Sequence, residues 1–183
     1  MGPSILFGVY DNFPDIIHGF AHFECNSSPS ELGSAIIRAL YKMNRRGRFL
    51  SSHKISTPLG CRIRLEFGVA DGTDFNYIDE DVLNLSSDIL SRVDLDTLDF
   101  LCVVRYYRIE KRRRKPLRFD YYLLRFTLSS GGGEVRVFHE RGIRRLPIED
   151  LILILVDSVN RELSRARGRG RHPHVKLTRL RAL

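Results

Sequence analysis

VVRYYRIEKRRRKPLRFDYYLLRF, residues Val103 to Phe126, is the stretch on which the reading of the fold turns. It contains six Tyr or Phe, and from Arg105 to Arg125 nine bases stand against two acids. Side chains alternate across a strand, so Arg105, Tyr107 and Ile109 share one face while Tyr106 and Arg108 share the other. Beyond the charged KRRRKP, Phe119, Tyr121, Leu123 and Arg125 alternate with Arg118, Asp120, Tyr122, Leu124 and Phe126. Two antiparallel strands joined by a basic turn follow from this pattern. Aromatic residues lie on both faces, so at least one aromatic row belongs to the core. The other row, interleaved with Arg, has the composition of a single-strand stacking platform. Arg112, Arg113 and Arg114 at the turn suit phosphate contact, and the same charges also protect a sheet edge from aggregation.

Working outward, Ser4–Tyr10 (SILFGVY) reads as a short strand and Ile16–Cys25 (IIHGFAHFEC) as an alternating one. Ser28-Pro29-Ser30-Glu31 has the form of a capping box with Pro in the first turn, predicting a helix to about Asn44. CRIRLEFGV (Cys61 to Val69) alternates clearly, with Cys61, Ile63, Leu65, Phe67 and Val69 inward. The spacing predicts a second helix over 78–93, after the acidic loop DGTDFNY. Strands over 100–109, 117–128 and 134–139 form a meander whose second turn is SSGGG. A last helix starts near Pro147; its LILILV is apolar all round, which predicts burial. The fold class expected is α+β: antiparallel sheet with helices packed on one face, in the order ββαβα then βββα. Residues 1–97 form an α+β half, 98–165 a meander plus long helix packed with it, and 166–183 a flexible basic tail. The two later helices echo each other through Glu80/Glu149, Asp81/Asp150, Asp88/Asp157 and Arg92/Arg161.

The net charge of +8 is unevenly placed. Residues 161–183 carry eight bases against one acid; Arg38–Arg64 has eight bases and no acid; Glu66–Asp99 has ten acids and one base. Such blocks either attract polyanions or face one another within the fold or across a dimer. Arg outnumbers Lys 25 to 5 and Gln is absent, a composition that suits bidentate phosphate recognition and a hot habitat. The apolar runs are too short for a membrane span, and MGPSILFGVYDNFPD reads as no secretory leader, so the expected location is the cytoplasm. Cys25, Cys61 and Cys102 are far apart without a CxxC and read as small buried hydrophobes, with disulfide pairing left open.

Two constellations have metal-ligand chemistry. His18, His22 and Glu24 share a strand face, for which surface polar residues are the simpler reading. Asp71, Asp74, Asp79, Glu80 and Asp81 could hold divalent metals as in nucleases, or cap the second helix. No P-loop, GxGxxG or HExxH occurs, and no cofactor is expected.

HGFAHFEC followed by SPSELGSAIIRAL, then CRIRLEFGVAD and EDVLNLSSDIL, resembles the small dimerising Pcc subunit of the KEOPS tRNA-modification complex over residues 18–93. That resemblance implies a three-stranded sheet carrying two helices, a dimer, and work within an RNA-modifying assembly. HGFAHFEC also resembles the aromatic octamer of the RNA-recognition motif, which implies base stacking on Phe20 with His22.

The function expected is a non-enzymatic RNA-binding protein, with tRNA, another structured RNA or single-stranded nucleic acid as partner, acting alone, as a homodimer or as a complex subunit. Its binding residues are Arg45, Arg46, Arg105, Tyr107, Arg112, Arg113, Arg114, Arg118, Tyr121, Arg165, Arg167, Arg169 and Arg171. The alternatives are a metal-dependent nucleic-acid enzyme using residues 71–81, and a scaffold pairing through the helix Pro147–Leu163.

Overall fold

The structure is a computed structural model that describes residues 7–46, 61–166 and 174–183, the Arg46 side chain excepted. Its elements run β1 (Gly19–Glu24), α1 (Pro29–Arg46), β2 (Cys61–Ala70), β3 (Phe75–Tyr77), α2 (Glu80–Arg92), β4 (Thr97–Glu110), β5 (Arg113–Ser129), β6 (Gly132–Arg141), α3 (Ile148–Ala166) and β7 (Lys176–Ala182). The strands form one seven-stranded antiparallel sheet in the order β3-β2-β4-β5-β6-β1-β7. The protein is α+β, as its sequence predicts. Residues 1–97 and 98–165 supply strands to the same sheet, because β1 pairs with β6 and β2 with β4.

Local chemistry places the helices. The amide of Ser28 donates to Glu31 and the amide of Glu31 to Ser28 Oγ, both at 3.2 Å, so the capping box closes as written. Asp79 caps α2 by accepting from Val82 N at 2.9 Å. The echoed pairs Asp88–Arg92 and Asp157–Arg161 are both i,i+4 ion pairs. α1, α2 and α3 cover one face of the sheet. Leu32, Ile36, Ile152, Leu155 and Val159 pack there with Phe23, Phe126 and Val135, and Leu98, Phe100, Cys102, Val104 and Tyr106 line the same core along β4.

Several sequence expectations are corrected. Phe7–Tyr10 is not a strand: Gly8, at φ +87°, bends the chain and leaves no room for a Cβ beside Leu98. The segment instead satisfies the edge where β2 ends, through Gly8 N to Ala70 O (2.7 Å) and Asp99 N to Gly8 O (2.6 Å). Residues 4–6 lie outside the described residues. β3 lies within the expected acidic loop, since three residues give no period to detect. The turn is not KRRRKP but Lys111-Arg112 alone, both at positive φ (46° and 65°), a two-residue connection whose twist matches the strands. Arg113, Arg114, Lys115 and Pro116 already belong to β5. Within the tail expected to be flexible, Lys176–Ala182 is strand β7, bonded along β1, which would otherwise be an unpaired sheet edge, while residues 167–173 lie outside the described residues. Leu153 of the LILILV run is exposed on the outer side of α3 while Leu151, Ile152, Ile154 and Leu155 are buried.

Candidate nucleic-acid interface

Among the described residues no helix packs on the other face of the sheet, which is uncovered apart from the N-terminal segment around Tyr10 and Phe13. β4 presents Leu101, Val103, Arg105 and Tyr107 there, and cross-strand register sets Tyr121 opposite Val103 and Phe119 opposite Arg105. β2 adds Arg62 opposite Tyr107 and Arg64 opposite Arg105. Phe119 is 43% exposed, and its ring meets Tyr121 edge to face at 5.1 Å. The two aromatic rows of the hairpin are thus separated: Tyr106, Tyr122 and Phe126 are in the core, while Tyr107, Phe119 and Tyr121 face away from the helices. Arg105 Nε bonds Glu66 at 3.1 Å at the surface. Such a pair is worth at most about 1 kcal/mol, so a phosphate can take Glu66's place at little cost.

The predicted residues divide into groups. Arg105, Tyr107 and Tyr121 come together on the uncovered face, and Arg114, paired with Ile109, continues it toward the hairpin end. Arg112 stands in the turn; Arg113 is exposed on the opposite side of the ribbon. Arg118, beside the irregularity between Arg105 and Tyr107, is exposed and does not share the face of Phe119. Arg45 and Arg165 belong to the helical layer behind the sheet, where Arg45 bonds Tyr41 Oη (3.2 Å) and Arg165 bonds Glu162 (3.3 Å). They are therefore not part of the hairpin patch. The side chain of Arg46 and the whole of Arg167, Arg169 and Arg171 lie outside the described residues.

Comparisons with family models, curated proteins and solved structures give no match to this chain.

Toward β7 the face gathers a further set of residues, of which the sequence points to Phe20 and His22 as stacking groups but not to the three arginines beside them. Arg136 on β6, Phe20 and His22 on β1, and Arg179 and Arg181 on β7 share the uncovered face by register. The Arg179 guanidinium lies 5.3 Å from the Phe20 ring centroid. The signal for Arg179 and Arg181 is the alternation in KLTRLRA, obscured by the Gly- and Arg-rich composition of the sequence before it.

Near the start of β4 the uncovered face is closed by the N-terminal segment. Asp99, fully buried, accepts two hydrogen bonds from Arg125 (2.8 and 2.7 Å) and one from Tyr10 N (2.8 Å). Phe13 lies 4.3 Å from the Arg125 guanidinium. Asp99's bonds hold the Arg125 proton even more firmly than usual.

Four of the residues with metal-ligand chemistry, Asp71, Asp79, His18 and His22, have partners in the fold. Asp71 accepts from Asp74 N (3.3 Å) and Asn76 (2.6 Å), and Asp79 is the α2 cap, so the acidic segment does local structural work. His22 Nε2 lies 3.1 Å from Glu134, and His18 Nδ1 accepts from the His139 amide at 2.9 Å. Among the described residues no three His, Cys, Asp or Glu converge on a metal position. Cys25, Cys61 and Cys102 are free thiols, and burial pushes those of Cys25 and Cys102 upward, away from thiolate chemistry.

On the helix side, Asp120 is fully buried and every approach to its carboxylate is taken. Tyr106 Oη donates at 2.5 Å, Arg144 N at 2.6 Å and Arg145 N at 3.2 Å, with His139 Nε2 at 3.0 Å. Gly142 is required beside it, at φ +116° with a Cβ position 2.3 Å from Asp120 Oδ1. Burial alone would raise the Asp120 carboxyl, but the hydrogen bonds from Tyr106, His139 and the two amides outweigh it and hold the group below its ordinary value. Tyr106 Oη in turn accepts from Leu146 N (2.8 Å), and Tyr122 Oη donates to Leu146 O (2.9 Å). The network anchors the 142–146 turn that launches α3, and it offers no vacant position to a substrate.

Proposed function

We propose that this protein binds RNA on the uncovered face of its sheet and does so without catalysing a reaction. The observation that carries the reading is the grouping of Arg105, Tyr107, Phe119 and Tyr121 on one uncovered strand pair, with Arg112 and Arg114 at its end. Arginines supply the phosphate contacts that dominate affinity, and exposed rings supply stacking for unpaired bases. Glu66 and Glu134 on the same face can accept a ribose 2′-hydroxyl, a donor that DNA lacks. The committed roles of Asp71 and Asp79 weaken the case for a metal-dependent nuclease.

The narrower version, tRNA as ligand within a Pcc-type assembly, rests on the resemblance over residues 18–93. In this sheet β1 and β2 are separated by β4, β5 and β6, so any such assembly would use a different strand order from a sheet built on those residues alone.

The test is binding of a labelled tRNA pool and of single- and double-stranded DNA across a salt series. Affinity should fall steeply with salt, and Arg105→Ala and Arg114→Ala should each reduce the log–log slope by about one. Unchanged affinity and slope in the double variant would remove this face from the interaction.

A further inference from the structure

We propose that the uncovered face holds a second stacking station, Phe20 with Arg136, Arg179 and Arg181, and that the ligand is one single-stranded segment running between it and the Phe119/Tyr121 station. This rests on the RNA-binding reading above and names the strand state and path of its ligand.

The second station is assembled from three strands. Phe20 pairs across to Arg136 on β6 and Arg181 on β7, while Arg179 lies opposite His22. His22 meets the Phe20 ring edge-on at 5.3 Å, which sets the ring's tilt, and Arg179 stands over the ring at 5.3 Å. A base laid on the ring takes the place of that guanidinium and leaves it free for the adjoining phosphate. Arg136 is held by Glu134, which it shares with His22, and the Arg136 side chain is half exposed, so it can turn to a phosphate at small cost.

The spacing decides between a duplex and a single strand. Along β6, Tyr121 registers with Arg141 and Phe20 with Arg136, five residues apart. At about 3.3 Å per residue, and with two strand spacings of about 4.8 Å, the stations are about 19 Å apart. Bases in a duplex are stacked on one another and offer no ring faces to such stations. An extended strand with bases turned toward the sheet reaches both, on the scale of the smaller single-strand sites, about four nucleotides and upward. Phe138, stacked on His18 at 4.8 Å, lies on the path between them.

The experiment measures fluorescence anisotropy with the full chain, using a single-stranded RNA of about 12 nucleotides and a fully paired RNA of matching length. Wild type should bind the single strand about tenfold more tightly than the duplex. Phe20→Leu and Arg179→Ala should each weaken single-strand binding about five- to tenfold and leave duplex binding unchanged. Arg179→Ala removes only a surface side chain and so serves if Phe20→Leu disturbs β1, which thermal melts would reveal. If Tyr121→Ala weakens binding while both β1 and β7 variants bind as wild type, the second station is wrong and the RNA reading stands. Equal affinity for single strand and duplex overturns the stacking path. No binding to either RNA sinks both this inference and the reading beneath it.

Discussion

The two faces of the sheet each bury an aspartate completely, and they satisfy it in different ways. Asp120, under the helices, is surrounded by neutral or switchable donors: a tyrosine hydroxyl, an imidazole and two backbone amides. Asp99, on the side without helices, is paired to the permanent charge of Arg125, whose side chain remains 27% exposed. A guanidinium that reaches water loses little hydration, so the pair forms where the sheet thins toward solvent. Deep under the helices a second full charge would lose its hydration outright, and directed dipoles take its place. The helix side therefore stores stability in a closed network, while the uncovered side keeps charge in exchangeable pairs such as Arg105–Glu66, Arg136–Glu134 and His22–Glu134. Function is expected on the side whose pairs can be exchanged.

The largest effect is expected at Asp120. Asp120→Ala leaves the Tyr106 hydroxyl and two amides without their acceptor and should cost about 3–5 kcal/mol in urea denaturation, without altering RNA affinity per folded molecule. Asp99→Ala should cost less, about 2 kcal/mol, because Arg125 can turn to water; equal losses at the two sites would show that the two faces hold their aspartates equally firmly.

The acid limb sharpens it further. The folded Asp120 carboxyl titrates below its unfolded value, so its contribution is complete above the ordinary carboxylate range and is lost as pH falls through the folded value. Stability should decline below about pH 4, and Asp120→Asn should flatten that decline in a series of melts against pH.

On the uncovered side the expectation reverses. Tyr121→Ala should weaken RNA binding about tenfold, the loss of one stacked base, with a smaller effect on stability than Asp120→Ala. Loss of stability without loss of affinity would show that the ring belongs to packing. The smallest effect is expected at Leu153, 46% exposed on the outside of α3. Leu153→Ser should change stability by no more than about 0.5 kcal/mol and leave RNA binding as it was. A variant that dissolves an oligomer in sedimentation velocity would instead favour partner docking through α3.

Much of this was legible in the chain because it is local. The capping box at Ser28–Glu31 and the alternation in Cys61–Val69 depend on neighbours within four residues, and both appear as read, while the acids before α2, open between metal binding and capping in the sequence, include the Asp79 cap. Alternation also sorted the hairpin into a Tyr107/Tyr121 row and a Tyr106/Tyr122 row. It could not say which row the helices would cover, since both rows are aromatic and period two is symmetric between faces. That was decided by where α1 and α3 pack, which depends on residues far apart in the chain. The same holds for β7, whose strand identity comes from hydrogen bonds to β1, and for Arg179 and Arg181, brought beside Phe20 only by that pairing. The helices, most of the strands and the alternation of their side chains are legible from the residues alone, because contacts between near neighbours set them. The strand order, the uncovered face and the arginines gathered on it emerge only in the folded chain, because they rest on burial and pairing between segments that no local pattern connects.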